Sequence, residues 1–392
     1  MTDYPSIRLR NKEEKRLTQG HLWAFSNELV EIRKDLPTGS VVRLERENGG
    51  DLIGLAFYNP HSLIAARIIS RKAEEINDEF WKARLKAAAE RRGLLLQKRN
   101  AARIVYGESD FLPGLIIDRF DDVISFQIAS VGFEVIKEDL VRYIDELWSP
   151  RAIVEKNQTN LRKLEGLELI TKIHKGSDST VRITDELATQ YQLEIESGQK
   201  TGFFLDQMEN RTAIRGYTKP GDACIDLFAN EGGFTLNLAL AGAAKVLAVD
   251  ASAQALQRTL ANAELNGVAE KVDTEVADCF DFLKSHQGKY DVVVLDPPAL
   301  VKSKKDLAAA RKGYLQINAD SMRITKPEGI LLTASCSHHV NRDMLHDVIQ
   351  EAARRSRRQV TVLEERGAGI DHPVLMAMPE TRYLKVFILR VH

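Results

Sequence analysis

Three stretches of the chain carry different hydrophobic patterns. Up to about residue 73, short apolar runs (Ser40–Leu44, Leu52–Phe57, Ile64–Ile69) alternate with the turn signals P-T-G, N-G-G and N-P-H. This pattern predicts a small β-rich barrel. From Ala73 to Leu96, Ile76, Phe80, Leu85 and Ala89 recur at helical spacing. Strands follow at Arg103–Tyr106, Leu115–Asp118 and Val123–Ala129, then a helix over Phe133–Trp148 and strands at Ala152–Glu155, Val181–Ile183 and Leu193–Ile195. This reads as a central α+β domain. Beyond about residue 220, apolar runs at Cys224–Phe228, Lys245–Asp250, Val272–Val276, Asp291–Leu295, Gly329–Ala334 and Val360–Glu364 are separated by helical segments, and Tyr383–Val391 adds a last strand. Such alternation predicts a doubly wound, mostly parallel α/β sheet of Rossmann-like type. The expected domains are 1–73, 74–190 and 191–392.

In an open parallel sheet, ligands bind beyond the carboxyl ends of the strands. The first of these strands, with Asp226, opens into A-N-E-G-G-F, where Asn230, Gly232 and Gly233 precede a helix. Glycines there let backbone approach a ligand closely. The spacing is not that of a dinucleotide fingerprint. Asp250 ends the second strand, where a carboxylate can accept both hydroxyls of a ribose, and Asp278 ends the third, where an adenine amine could be read. A ribose, an adenine and no phosphate suit S-adenosylmethionine (SAM). Both acids are also ordinary helix N-caps, a reading with about equal weight for Asp278.

Composition adds limits. The 392 residues allow two or three domains, and 44% hydrophobic with 28% charged is ordinary for a globular protein. No apolar run reaches membrane-span length, and the first ten residues hold no secretory core, so a cytoplasmic protein is expected. Cys224, Cys279 and Cys336 lie far apart, which argues for reduced thiols. A net charge of −1 excludes a generally polybasic RNA coat. Two local basic runs remain, Lys82–Arg103 and Arg354–Arg358, each a solvated helix face or a phosphate-tracking patch.

The candidate chemistry lies in two strand ends. V-V-V-L-D-P-P-A-L delivers Asp296 with Pro297 and Pro298, and L-L-T-A-S-C-S delivers Cys336. A thiolate adding to C6 of a cytosine makes C5 nucleophilic toward an electrophilic methyl group. Asp296 would hydrogen-bond the base and stabilise charge developing during attack, and the prolines would stiffen the strand exit and border the base. The base must leave its stack to reach such a pocket. Cys224, inside a strand, reads as core. A metal site built on Cys336, His338, His339 and His346 is disfavoured, because adjacent histidines on a strand point oppositely.

G-Q-K-T-G-F-F-L-D-Q-M-E-N-R (198–211), D-L-F-A-N-E-G-G-F (226–234), L-D-P-P-A-L (295–300) and T-A-S-C-S (333–337) together resemble the bacterial 23S rRNA 5-methylcytosine methyltransferases. The likeness runs through most of the chain. R-L-R-N-K-E-E-K-R-L-T-Q-G-H-L-W-A-F-S-N-E-L looks like that family's RNA-binding PUA domain. G-E-S-D-F-L-P-G-L-I-I-D-R-F (107–120) looks like its middle domain, and D-H-P-V (371–374) and Y-L-K (383–385) like its C-terminal end. The resemblance implies SAM as cofactor, ribosomal RNA as partner, a homodimer as an option, and Phe204, Asp206 and Gln207 near the methionine end of the cofactor. Two departures stand out. A-N-E-G-G-F replaces S-Y-T-G-G-F, and S-C-S-H-H replaces S-C-S-G, which sets His338 and His339 beside the thiol. Ala299 stands where some RNA methyltransferases carry a second cysteine, so Cys336 is the sole nucleophile and the sequence names no base for the C5 proton. The competing readings are an amino- or ring-nitrogen RNA methyltransferase and a non-catalytic RNA-binding protein. Cys336 and Ala299 disfavour the first, and the intact thiol and carboxylate disfavour the second.

Overall fold

The computed structural model describes residues 4–198, 201–301 and 306–392; Gln199 and Lys200 of the 198–211 motif lie outside these. The chain forms two units. The first holds residues through Ile183 with Gln192–Leu205 and Ile370–Thr381; the second holds Thr184–Tyr191, Asp206–Gly369 and Arg382–His392.

In the first unit, the predicted barrel strands appear at Val41–Arg46, Leu52–Tyr58 and Ala66–Ser70. Two more, Ser6–Leu9 and Trp23–Ala24, complete a five-stranded sheet. The segment 23–30 pairs with Ala66–Ser70 at its start. At its end it bonds back to the other edge strand, through Val30 N to Arg8 O and Arg10 N to Glu28 O. The sheet thereby curls closed around Leu9, Leu44, Ala56, Tyr58 and Ile68, and little of its edge is left open.

A second five-stranded sheet uses Ala101–Tyr106, Leu115–Phe120, Val123–Ile128, Ala152–Asn157 and Ile170–Lys175 in a row. Only the pair joined by helix Lys137–Trp148 is parallel, as a helical crossover requires. Helix Asp78–Glu90 is capped by the Asn77 side chain, which accepts Phe80 N at 3.0 Å, and it buries Trp81 and Leu85 against this sheet. The sheet's last strand, Ile170–Lys175, escapes the sequence reading because its residues are mostly half-exposed and its two isoleucines are separated by polar ones.

The basic run of the first unit is largely structural. Arg92, Arg99 and Arg103 are buried. They bind Asp110, Asp371 and Asp118 at 2.7–2.9 Å. Lys82 pairs with Glu146. In the second run, Arg358 donates to His392 O and Thr325 O, while Arg354 and Arg355 sit in the last turn of a helix, where cations oppose the negative helix end.

In the second unit we number the strands β1 (Ala223–Leu227), β2 (Lys245–Asp250), β3 (Val272–Val276), β4 (Tyr290–Leu295), β5 (Thr325–Ser335), β6 (Val360–Arg366) and β7 (Lys385–Val391). The helices are α1 (Met208–Arg215), α2 (Gly233–Leu240), α3 (Ala253–Leu265), α4 (Cys279–Ser285), α5 (Leu307–Ile324) and α6 (Arg342–Ser356). The sheet order is β3-β2-β1-β4-β5-β7-β6. β1 to β5 run parallel, and β7 lies antiparallel between β5 and β6. β1 and β4 have near-continuous apolar interiors because helices cover both faces. Strand order reverses between β1 and β4, so the loops after them flank the topological switch point. Among the described residues, no helix is long and apolar enough to cross a membrane.

Candidate active site

The β1 exit is a run of left-handed backbone: Phe228 at φ 63°, Asn230 at 49° and Gly232 at 81°. Such a sequence of turns leaves successive groups pointing into one concavity. Gly232 is required twice over. A Cβ there would meet Thr259 Cγ2 at 2.6 Å, and its φ disfavours any side chain. A Cβ on Gly233 would strike Arg211 Nε at 2.3 Å. These two glycines therefore let Thr259 and Arg211 pack onto the loop; their contribution to a ligand site is the loop's shape.

Asp226 is the penultimate residue of β1 and fully buried. Its Oδ2 accepts Thr235 N at 2.9 Å and Thr235 Oγ1 at 2.7 Å, which straps the start of α2 to the strand. Its Oδ1 is buried without a hydrogen-bond partner, as is Asn230 Oδ1. Burial first, with the Asp296 charge adding, pushes the Asp226 carboxyl up to about 7 against the pull of the Thr235 bonds. Asp250 ends β2 as predicted. Its Oδ2 accepts Asn230 N and its Oδ1 accepts Ser252 N, both at 2.9 Å, so it anchors the loop. Asp278 is the N-cap of α4: its Oδ1 takes Phe280 N at 2.8 Å and Asp281 N at 3.1 Å. The capping alternative weighed for Asp278 is thus the conformation present. Cys279 and Cys224 are buried, and burial pushes both thiols up to about 12.

β4 and β5 pair as far as Leu295 and Thr333. Asp296 follows β4 directly, and Cys336 follows the last residue of β5. Both therefore leave neighbouring parallel strands at their carboxyl ends, Asp296 one strand and Cys336 two strands away from the Asp226 loop. Pro297 is buried and Pro298 exposed; Cys336 is half-buried. Asp296 Oδ2 accepts Gln207 Nε2 at 3.0 Å, and Gln207 Oε1 is fixed by Asn210 Nδ2 at 2.7 Å. Asp206, next in line, is buried and accepts the Tyr383 hydroxyl. Asp206 and Gln207 thus join the cluster of the second unit. Phe204, half-buried, belongs to the first.

Three neighbours of the thiol were not singled out in the sequence. Tyr314 of α5 is buried with its hydroxyl between Ser335 Oγ at 3.0 Å and Ser337 Oγ at 2.9 Å. Ser337 itself is buried. Lys385 opens β7 opposite Ser335, with its Nζ on Ser337 O and Tyr383 O at 2.7 Å each. Burial pulls the Lys385 ammonium down to about 8, opposed only by the charge of Cys336. The readable signal was a lysine in the Y-L-K triplet heading a strand whose next four residues are apolar. His338 and His339 are exposed and lie in a turn beyond β5, closed by Val340 N to Ser337 O at 3.2 Å. The strand-alternation argument about these histidines therefore does not apply, since β5 stops at Ser335.

A parallel sheet with its final strand reversed, and a ligand-shaped loop, a carboxylate and a thiol at the switch point, is the architecture of a methyltransferase domain. Family models agree: a PUA-like domain matches residues 7–71, and a methyltransferase domain matches 218–367. Ribosomal RNA large subunit methyltransferase I of Photobacterium profundum is 35% identical over 97% of this chain and 98% of its own length. The protein of that name from Erwinia tasmaniensis is 32% identical over 98% of each. The chain belongs to the ribosomal RNA large subunit methyltransferase I family. Among solved structures, SMU.776, a candidate methyltransferase in complex with SAH, superposes with a TM-score of 0.84 at 20% identity, covering 98% of this chain and 100% of that one. Trm5b of Pyrococcus abyssi superposes at 0.54 and 16% identity over 70% of this chain and 74% of its own. These two likenesses are of fold.

Proposed function

We propose that this chain methylates C5 of a cytosine in 23S ribosomal RNA, with SAM as methyl donor and a transient bond between Cys336 and cytosine C6. The observation that supports this most directly is the exit of Asp296 and Cys336 from adjacent strands, in a chain 35% identical to a ribosomal RNA large subunit methyltransferase I.

The residues fit the cofactor. SAM carries hydroxyl and ammonium donors, and the β1 loop holds two buried acceptors without partners, Asp226 Oδ1 and Asn230 Oδ1. Asp250 retains further lone pairs for a ribose beside its two amide bonds, and Asp206 and Gln207 would border the methionine end. Gly232 and Gly233 would shape the loop around it, and Asp278 would reach an adenine with the side of its carboxylate turned from the α4 amides. The cofactor supplies an electrophilic methyl group. The remaining work falls to the chain itself. The Cys336 thiolate adds to C6 and drives electron density to C5. Asp296, held by Gln207, hydrogen-bonds the exocyclic amine and shares the proton that N3 takes up during attack. Pro297 and Pro298 would border the flipped base. Once C5 carries the methyl group, its proton passes to solvent water, N3 returns its proton to Asp296, and the thiolate leaves C6, which restores the ring. Within this reading, residues 1–73 are a PUA-like RNA-binding domain, 74–190 a central α+β domain, and 191–392 the domain that carries out methyl transfer. It also includes a cytoplasmic setting and a homodimer, the latter testable by sedimentation.

The test is incubation with methyl-labelled SAM and 23S rRNA, then digestion to nucleosides. Label in 5-methylcytidine is expected; label in any other nucleoside would sink the reading. Cys336→Ala is expected to lose turnover, and full activity in that variant would remove the covalent step.

A further inference from the structure

Lys385 is only 6% exposed, and among the described residues no carboxylate lies within ion-pair distance of it. Its two hydrogen bonds go to carbonyls, which satisfy donors but carry no net charge. A buried ammonium without a counter-charge is strongly unfavourable. The group beside it that can supply that charge is the Cys336 thiol, one residue beyond Ser335, its partner in the β5–β7 ladder. The other titratable groups nearby are committed elsewhere. The Tyr314 hydroxyl is held between Ser335 and Ser337, the Tyr383 hydroxyl goes to Asp206, and Asp296 is bonded to Gln207. His338 lies on the solvent side, its ring 5.5 Å from that of Tyr383.

We propose that Lys385 is a positioning residue that holds Cys336 as its thiolate: its ammonium is the counter-charge of the nucleophile, and its bonds to Ser337 O and Tyr383 O fix the short segment that carries the thiol. The catalytic meaning of this rests on the covalent reading above; the electrostatic pairing does not. The same pairing serves both ends of the reaction. A thiolate with a nearby cation is more populated before attack, and it is a better leaving group when C6 releases it.

The experiment is the pH dependence of Cys336 alkylation by iodoacetamide on the full chain, read by peptide mass. Cys224 and Cys279 are buried, so the reactive signal comes from Cys336. A free thiol shows its midpoint near about 8.5. The wild-type midpoint is expected at least about one unit lower, and Lys385→Met is expected to raise it by about one unit, an approximately tenfold slower reaction at neutral pH. Lys385→Arg, which keeps the charge, is expected to restore most of the shift. A wild-type midpoint at the free-thiol value overturns the proposal without any variant, and so does an unmoved midpoint in a folded Lys385→Met protein. Cys336→Ala turnover reports separately on the covalent reading. An inactive Cys336→Ala with an unmoved Lys385→Met midpoint defeats the pairing alone. A fully active Cys336→Ala with a shifted midpoint defeats the covalent step alone.

Discussion

Asp371 in the first unit and Asp226 in the second are both fully buried carboxylates, and their surroundings drive them in opposite directions. Burial raises both. At Asp371 this is outweighed by His372 Nδ1 at 2.7 Å, Arg99 at 2.9 Å and Arg103 N at 2.9 Å, which hold it down at about 2. At Asp226, among the described residues, only Thr235 donates, one oxygen is left over, and the carboxyl rises to about 7. Burial alone therefore says nothing about what a charged residue is for. A carboxylate with both oxygens engaged ties a fold together. One left short of donors at a switch point is the kind that the proposed reading assigns to a ligand.

The comparison breaks most visibly at Asp371. Asp371→Ala deprives buried Arg99 of its carboxylate and is expected to cost about 3–5 kcal/mol in urea unfolding. A loss under about 1 kcal/mol would mean that the ion pair is not what holds Ile370–Thr381 in the first unit. The pH dependence has a fixed sign. Because the folded carboxyl lies below its ordinary range, its contribution is fully present above about pH 4 and is lost as pH falls toward 2.

Asp226 must show the reverse. Between about pH 4 and pH 7 the folded protein keeps a proton that the unfolded chain has released, so stability falls as pH rises through that window and levels off above it. The integrated loss is at most about 4 kcal/mol. Asp226→Asn keeps the shape and the bonds to Thr235 while removing the titration, so its urea midpoint is expected to stay flat over the same window. If wild type and variant ran parallel from pH 4.5 to 7.5, Asp226 would be ionised throughout and the contrast with Asp371 would collapse.

Much of this was legible in sequence, and what escaped was tertiary. The short apolar runs at Leu52–Phe57 and Leu115–Asp118 and the apolar runs of β1 and β4 announced themselves, because burial dictates residue type directly. Asp296 and Cys336 stood out because a carboxylate and a thiol at the ends of apolar strands need a reason. Strand Trp23–Ala24 is two residues long and carries no period to detect. The basic run Lys82–Arg103 read as a solvated helix face or a phosphate-tracking patch, and neither reading anticipated buried ion pairs, because the partners Asp110, Asp118 and Asp371 are scattered along the chain and meet only on folding. Lys385 and Tyr314 have the same difficulty: each is an ordinary residue in its own element and acquires a role only where β7 and α5 meet the end of β5.

The smallest effect separates a buried partner from an exposed one on a single carboxylate. Asp110 accepts both Arg92, with 3% of its side chain exposed, and Arg91, with 47%. Arg92 is bidentate and also donates to Ala88 O and Asp371 O, so the carboxylate stays engaged when Arg91 is removed. Arg91→Ala is expected to cost no more than about 0.5 kcal/mol at low salt and to become neutral in high salt, where exposed charges are screened. A salt-independent loss of 2 kcal/mol or more would show that Asp110 depends on both cations, and that the fully engaged carboxylates of the first unit are as finely balanced as Asp226.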